Sequence, residues 1–141
     1  MGTGMVLRDP FVSIGGSDIS DYITQVEGVG NTFENVGMES GGDEAKWGKP
    51  GMGAWAARVT CKQDFDDNGL DEIMWAINGS ETPSAVIIRP KRAVKGANNP
   101  EFTGNGIVCD YAGLSGTIGQ RANATFTIEC GDGNLLDRAI S

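Results

Sequence analysis

The sequence of 141 residues contains no histidine. Imidazole is the usual general base near neutral pH, a member of most serine and cysteine triads and the commonest protein ligand for metal ions. Its absence excludes these kinds of active site. The three cysteines, Cys61, Cys109 and Cys130, form no CxxC pair, and each lies in an alternating apolar pattern. We therefore expect small buried thiols in strands rather than a disulfide or a reactive thiol.

Basic residues are few, with 11 lysines and arginines against 19 aspartates and glutamates, so the formal net charge is −8. This charge opposes the counterion release that drives binding to nucleic acids, and it disfavours a DNA-binding protein of the usual kind. No apolar run approaches the ~20 residues that cross a bilayer, and the first ten residues lack the basic head and apolar core of a signal peptide. We expect a soluble protein without a signal peptide and without a membrane partner.

Nearly all of the excess negative charge lies in the first third of the chain. Residues 1–44 carry eight carboxylates and a single cation, Arg8. A short basic segment follows later in the chain and consists of Arg89, Lys91, Arg92 and Lys95. Opposite charges on separate segments of one chain favour self-association through complementary surfaces.

The chain is rich in turn-forming residues, with 22 glycines and 5 prolines, and its apolar residues mostly alternate with polar ones. Alternation is typical of half-buried strands. Residues 11–14 and 19–26 are predicted to form an opening hairpin around Gly15 and Gly16. Further strands are predicted at 54–65, 84–90, 102–112, 121–130 and 135–140. One domain that is mainly β, of the α+β kind, is expected over residues 1–141.

One segment has helical instead of alternating spacing. Its apolar stripe consists of Leu70, Ile73, Met74 and Ile77. This spacing predicts an amphipathic helix, capped by Asp67 or Asn68 and ended by Gly79. Trp75 projects opposite the stripe; we expect it to pack at the edge of the core, and a subunit interface is the alternative.

Residues 27–53 have neither pattern. They are rich in glycine, and their apolar residues are isolated from one another. We interpret them as a long loop or arm. Loops of this length in compact domains are usually functional or are ordered by a partner.

Two motifs could indicate chemistry, and we reject both. Asp64, Asp66, Asn68 and Gly69 fit the early positions of a calcium loop. The twelfth position, which must supply two carboxylate oxygens, is Trp75, so helix capping is the better interpretation. The adjacent carboxylates Asp66/Asp67 and Asp71/Glu72 lack the apolar pocket that a catalytic acid needs. We expect no enzyme activity, no metal and no cofactor.

Three segments carry a resemblance to a known family. They are VSIGGSDISDYITQVE, KQDFDDNGLDEIMWAING and NPEFTGNGIVCDYAGLSGTIGQRANATFTIEC. Their order and spacing, over about half of the chain, resemble those of the major tail tube proteins of long-tailed (siphovirus-type) bacteriophages.

The resemblance implies two packed antiparallel sheets, in a sandwich or barrel, with one flanking helix. It further implies hexameric rings that stack around a tape-measure protein, with inner sheets joined into a β-lined channel. Double-stranded DNA would pass through this channel at ejection without specific binding. Tail terminator and baseplate or distal tail proteins would be the other partners. The protein would belong to the virion tail and assemble in the host cytoplasm.

Three sets of residues are then candidates for assembly. The arm at 27–53 would contact a neighbouring subunit or the next ring, with Phe33, Glu34, Met38, Trp47 and Met52 at the interface. The basic segment would meet the acidic first third of another subunit. The channel would be lined by some of Arg58, Lys62, Asp110, Thr125 and Thr127. The alternative function is a capsid decoration protein or a β-sandwich module that binds a ligand or carbohydrate.

Overall fold

The computed structural model describes residues 4–141, so the first three residues of the predicted domain 1–141 lie outside the described part. Within this range the chain forms ten strands, one α-helix and a 3₁₀ turn at Ser20–Tyr22. The strands are β1 (Phe11–Ile14), β2 (Ser17–Asp18), β3 (Ile23–Glu27), β4 (Asn31–Gly37), β5 (Gly48–Lys62), β6 (Ser84–Arg89), β7 (Glu101–Val108), β8 (Ala112–Ser115), β9 (Asn123–Cys130) and β10 (Asp137–Ala139), and helix α1 is Leu70–Ile77.

The strands form one curled antiparallel sheet around a single core. The hydrogen-bonded order is β2-β1-β6-β7-β9-β5-β3, with β4 added to β5, β8 to β9 and β10 to β7. Strand β9 joins the two halves of this sheet, β2-β1-β6-β7 and β5-β3, because it pairs with β5 along most of its length and with β7 at its C-terminal end. The predicted fold class, mainly β and antiparallel with one helix, is confirmed. The two predicted sheets are parts of one continuous sheet.

Alternation along β5 and β9 places one side of each strand in the core. Val59 lies opposite Phe126 in the register, and both side chains are fully buried. Leu70 and Met74 of α1 are also fully buried and cover the same core. Burying an aliphatic or aromatic side chain of this size contributes ~1.5–3 kcal/mol, so this layer supplies much of the stability of the domain.

Two glycines of β7 make room for the largest core side chain. The indole of Trp55 lies over Gly104 and Gly106, and its Nε1 donates a hydrogen bond to the carbonyl oxygen of Asn134 at 3.0 Å. A methyl group at Gly106 would lie 2.5 Å from Cγ2 of Ile128 and 2.9 Å from Cη2 of Trp55. Glycine is therefore required at this position by close packing.

The opening of the chain differs in part from the prediction. Strand β1 is found as predicted, and Gly15 and Gly16 form the turn with φ values of 60° and 85°. The second predicted strand, 19–26, is interrupted by the 3₁₀ turn, and β3 pairs with β5 instead of β1. At this break the buried Oγ of Ser20 accepts a hydrogen bond from the Val12 N–H at 2.9 Å, so a side chain takes the place of a strand partner there.

The helix is found at the predicted place, but its first turn is built differently. The N-cap residue is Gly69, so the prediction of a cap at Asp67 or Asn68 is wrong. A side chain at position 69 would collide with the Asp64 carboxyl group, which explains the glycine. Gly79 follows the helix with a φ of 79°, as predicted. Trp75 is 73% exposed, so the expectation that it packs at the core edge is also wrong.

The later strands shift by a few residues from their predictions. The predicted strand 102–112 divides into β7 and β8, and 54–65 becomes the longer β5, which starts at Gly48. In the part of the chain that the structure describes, no helix is long and apolar enough to span a membrane.

The three thiols lie in different environments. Cys61 is buried, and burial raises the pKa of its thiol to about 12. Cys130 is half-buried. Cys109 is exposed because β7 ends at Val108, so the expectation of a buried thiol at this position is wrong.

We expect a thiol-specific chromogenic reagent to label native protein rapidly at Cys109 and to reach Cys61 only after unfolding. The buried Cys61 thiol, with its raised pKa, offers almost no thiolate and no access to the reagent, whereas the exposed Cys109 is accessible. The rate of absorbance change at pH 8 measures this difference. The variant Cys109→Ser should lose the rapid phase; a rapid phase of unchanged size would contradict the assignment.

Candidate assembly surfaces

Strand β4 and the first part of β5 form a hairpin that projects from the core, and we call residues 31–53 the arm. Phe33 pairs with Gly53 and Val36 with Lys49 in the antiparallel register. The pairing continues toward the tip, where the Met38 N–H donates to the carbonyl oxygen of Trp47 at 2.9 Å. The sequence predicted a long loop or arm over residues 27–53. Glu27 instead ends β3, and strand pairing orders most of residues 31–53, so the loop part of that prediction is corrected.

The arm is continuous with the core sheet. Strand β5 runs without interruption for 15 residues, from the arm into the middle of the sheet. At the base of the arm, the Asn31 side chain donates to the carbonyl oxygen of Leu136 at 3.2 Å and accepts from its N–H at 2.9 Å. These bonds fix the direction in which the arm leaves the domain.

The arm carries several apolar side chains that lie in water. Trp47 is 48% and Met52 is 78% exposed, and every residue from 31 to 50 is exposed. All of the predicted interface residues, Phe33, Glu34, Met38, Trp47 and Met52, lie on this one element. Exposed apolar groups gathered on a projecting element are typical of contact surfaces.

The tip of the arm is ordered by its own hydrogen bonds. The Asp43 carboxylate accepts from the Ser40 N–H at 2.7 Å and from Nε1 of Trp47 at 2.9 Å. These two bonds hold the pKa of Asp43 below its usual value. Trp47 is thereby oriented although it is not packed in a core.

A second surface is the side of β3, β5 and β9 that faces away from the core. We call it the polar face, and it consists of Glu27, Arg58, Thr60, Lys62, Thr125, Thr127 and Glu129. Arg58 donates from Nη1 to Oγ1 of Thr127 at 3.4 Å, and Asp110 accepts from the Thr127 N–H at 2.8 Å. The structure thus brings together the five residues that the sequence nominated for the channel: Arg58, Lys62, Asp110, Thr125 and Thr127.

The strands behind the polar face end in two open edges. They lie in the order β3-β5-β9-β8, and β8 pairs with β9 through Ala112 and Ser115. Within residues 4–141, no strand pairs with the outer edge of β3 or of β8. Open edges of this kind accept a further strand from another chain.

The basic segment is partly neutralised within the same chain. Arg92 contacts Asp9 at 2.7 Å and Asp21 at 2.8 Å, and Arg89 contacts Glu101 at 2.8 Å. Asp9 and Asp21 belong to the acidic first third, so for Arg92 the contact predicted between subunits occurs inside one subunit. Among the ion pairs within residues 4–141, Lys95 has only a 3.7 Å contact with Glu101, and Lys91 has none.

The loop that carries these lysines is held by Asn99, the first residue of the third segment that carries the resemblance, for which the sequence predicted no contacts. Asn99 is buried, and its side-chain amide donates to the carbonyl oxygens of Lys91, Ala93 and Val94 at 3.3, 2.8 and 3.2 Å. Its Oδ1 accepts from the Lys91 N–H at 3.0 Å. We call residues 91–95 the clasped loop. An asparagine in a polar loop gives no sequence signal for such a role.

Over residues 4–141, no group of three or more acidic or cysteine side chains is placed to hold a metal ion. The candidate assembly surfaces are the arm, the polar face with its open edges, and the clasped loop.

No protein-family model and no curated protein matches this chain. Among solved structures, it is similar to a chain of the sheath–tube complex of PVC, an extracellular contractile injection system, in the extended state. The TM-score is 0.72 and the identity is 11%, over 98% of this chain and 93% of that chain. It is equally similar to a chain of the sheath/tube terminator of the PVC system, with a TM-score of 0.72 and 11% identity over 98% of both chains. A third similar structure is the tube-terminating cap of the anti-feeding prophage, with a TM-score of 0.69 and 13% identity over 100% of this chain and 95% of that chain. The fold of this chain is that of chains found in the tube-containing complexes of injection systems.

Proposed function

We propose that this chain is a structural subunit of a hollow tube in a phage tail or a phage-like particle. The observation that carries the proposal is the agreement of the fold over nearly the whole length of both chains, with a TM-score of 0.72 to a chain of a sheath–tube complex. The motifs that resemble the tail tube proteins of long-tailed phages support the same role from the sequence. In this role the protein is not an enzyme.

The open sheet edges supply a way to close a ring. The β3 edge of one subunit pairs with the β8 edge of the next, so the sheets behind the polar face join into one β-lined channel. Hexameric rings of this kind stack into the tube. Contacts between two different edges of each subunit are heterologous, and heterologous contacts generate rings or helical assemblies.

The polar face then lines the channel. It mixes the cations Arg58 and Lys62 with the carboxylates of Glu27 and Glu129, and Asp110 lies beside it, where it accepts a hydrogen bond from the Thr127 N–H. A wall of mixed charge, with no basic surplus, offers passing phosphates no lasting attraction, so double-stranded DNA would slide without specific binding.

The arm makes the contact with a neighbouring subunit or with the next ring. Its apolar side chains are exposed in the single chain and would be covered in the assembly. In the complete tail the partners would be the tape-measure, terminator and baseplate or distal tail proteins. The subunit would assemble in the host cytoplasm and remain in the particle.

Negative-stain electron microscopy of the purified protein over a range of concentrations, with light scattering in parallel, tests this proposal. We expect hollow rings or tubes with a regular axial repeat. Closed trimers that bind saturably to phage heads would contradict the proposal and favour a decoration protein.

A further inference from the structure

The clasped loop presents a prearranged contact surface. Val94 is 87% exposed and lies between Lys91 and Lys95 in the chain. Lys95 lies 3.7 Å from Glu101, a carboxylate that Arg89 already contacts at 2.8 Å, and among the described residues Lys91 has no ion-pair partner. The bonds from Asn99 fix the backbone that carries these side chains, so little freedom is lost when a partner binds.

The tip of the arm has the opposite chemistry. Residues 38–47 carry Glu39, Asp43 and Glu44 against one cation, Lys46. A hollow of about 180 Å³ lies beside them and is lined by Asn35, Gly37, Glu39, Lys46 and Trp47. Trp47 forms one side of the hollow and can contact an apolar side chain, and Glu39 is the carboxylate in its lining that can contact a cation.

We propose that the tip of the arm docks on the clasped loop of a second copy of this chain. Val94 enters the hollow against Trp47, and Lys91 and Lys95 lie near Glu39 and Glu44. The two surfaces do not cover each other within one chain, because Trp47 and Val94 are both exposed in it. The proposal rests on the proposed function, since it identifies the receptor for the arm in the assembly.

Zero-length cross-linking tests this contact directly. A carbodiimide joins carboxylates to lysine amines that touch, and a mixture of ¹⁴N- and ¹⁵N-labelled full-length protein distinguishes links between copies from links within one. We expect mixed-isotope links between Glu39 or Glu44 and Lys91 or Lys95. If mixed-isotope links formed only between other residues, the docking proposal would be overturned, but the proposal that copies of the chain assemble would still stand. The complete absence of links between copies would count against the proposed function as well.

Charge reversal provides the second test. The variant Lys91→Glu/Lys95→Glu should raise the protein concentration at which assembly begins by about tenfold or more, equivalent to ~1.4 kcal/mol of lost contact free energy. Glu39→Lys/Glu44→Lys should do the same, and the fourfold variant should restore assembly. The control Arg121→Glu/Arg138→Glu changes the net charge as much as Lys91→Glu/Lys95→Glu, at residues that belong neither to the arm nor to the clasped loop. Failure of the fourfold variant to recover, or normal assembly of the Lys91/Lys95 variant, would contradict the contact.

Discussion

A chain that lacks the arm should remain folded and form no tubes. The variant replaces residues 34–52 by Asn-Gly, so that a two-residue turn connects the paired residues Phe33 and Gly53. No residue from 31 to 50 is buried, so the free energy of unfolding should change by less than about 1 kcal/mol. Assembly should be lost because the apolar groups that make the contact are gone. Electron microscopy measures tubes, and urea unfolding measures the fold.

A matched variant separates the shape of the arm from its side chains. Replacing Phe33, Met38, Trp47 and Met52 by serine keeps the length of the hairpin and removes its apolar contacts. We expect this variant to assemble as poorly as the shortened one. Tubes of normal axial repeat from the shortened chain would show that the arm is not an assembly element.

The substitution Gly106→Ala should lower the free energy of unfolding by about 3 kcal/mol, at the upper end of the usual cost of overpacking. The added methyl group would lie 2.5 Å from Cγ2 of Ile128 and 2.9 Å from the backbone oxygen of Glu129, which cannot rotate away. Trp55 closes the remaining side. Such a loss is a large part of the ~5–15 kcal/mol that stabilises a domain of ordinary size.

Urea unfolding followed by tryptophan fluorescence measures this effect, because Trp55 is buried whereas Trp47 and Trp75 are exposed. The control is Gly41→Ala, where an added methyl group meets nothing within 4 Å and φ is not in the left-handed region. Its midpoint should stay near that of the parent protein. Equal midpoints for the two variants would mean that β7 and Trp55 are not packed as described.

The core was predictable because one side of each central strand is dry. A strand or helix with one side in water and one side in the core has a periodic apolar pattern in its sequence. Val59 and Phe126 alternate with polar neighbours, and Leu70 and Met74 repeat at helical spacing. The same reasoning placed the residues of the polar face on common strands. It could not tell which of the two sides would meet another chain, since the pattern is the same in either case.

The arm was not predictable as a hairpin because both of its faces lie in water. Phe33 and Val36 are isolated apolar residues among glycines, and no periodicity marks β4. The pairing of Asn31 with Leu136 joins residues far apart in the chain, which no local pattern records. The N-cap at Gly69 was missed for a related reason: its cause is the nearby Asp64 carboxyl group and not a local capping preference.

The continuity of β5 also determines how the subunit responds to mechanical force. A pull on the arm acts along the strand, and the strand is held by the seven residue pairs that join Ala56–Lys62 to β9. The hydrogen bonds of an antiparallel pair run across the strands, so an axial pull shears all of them together instead of opening them one at a time. A subunit tethered through its arm should therefore resist stretching far better than one pulled apart across the sheet.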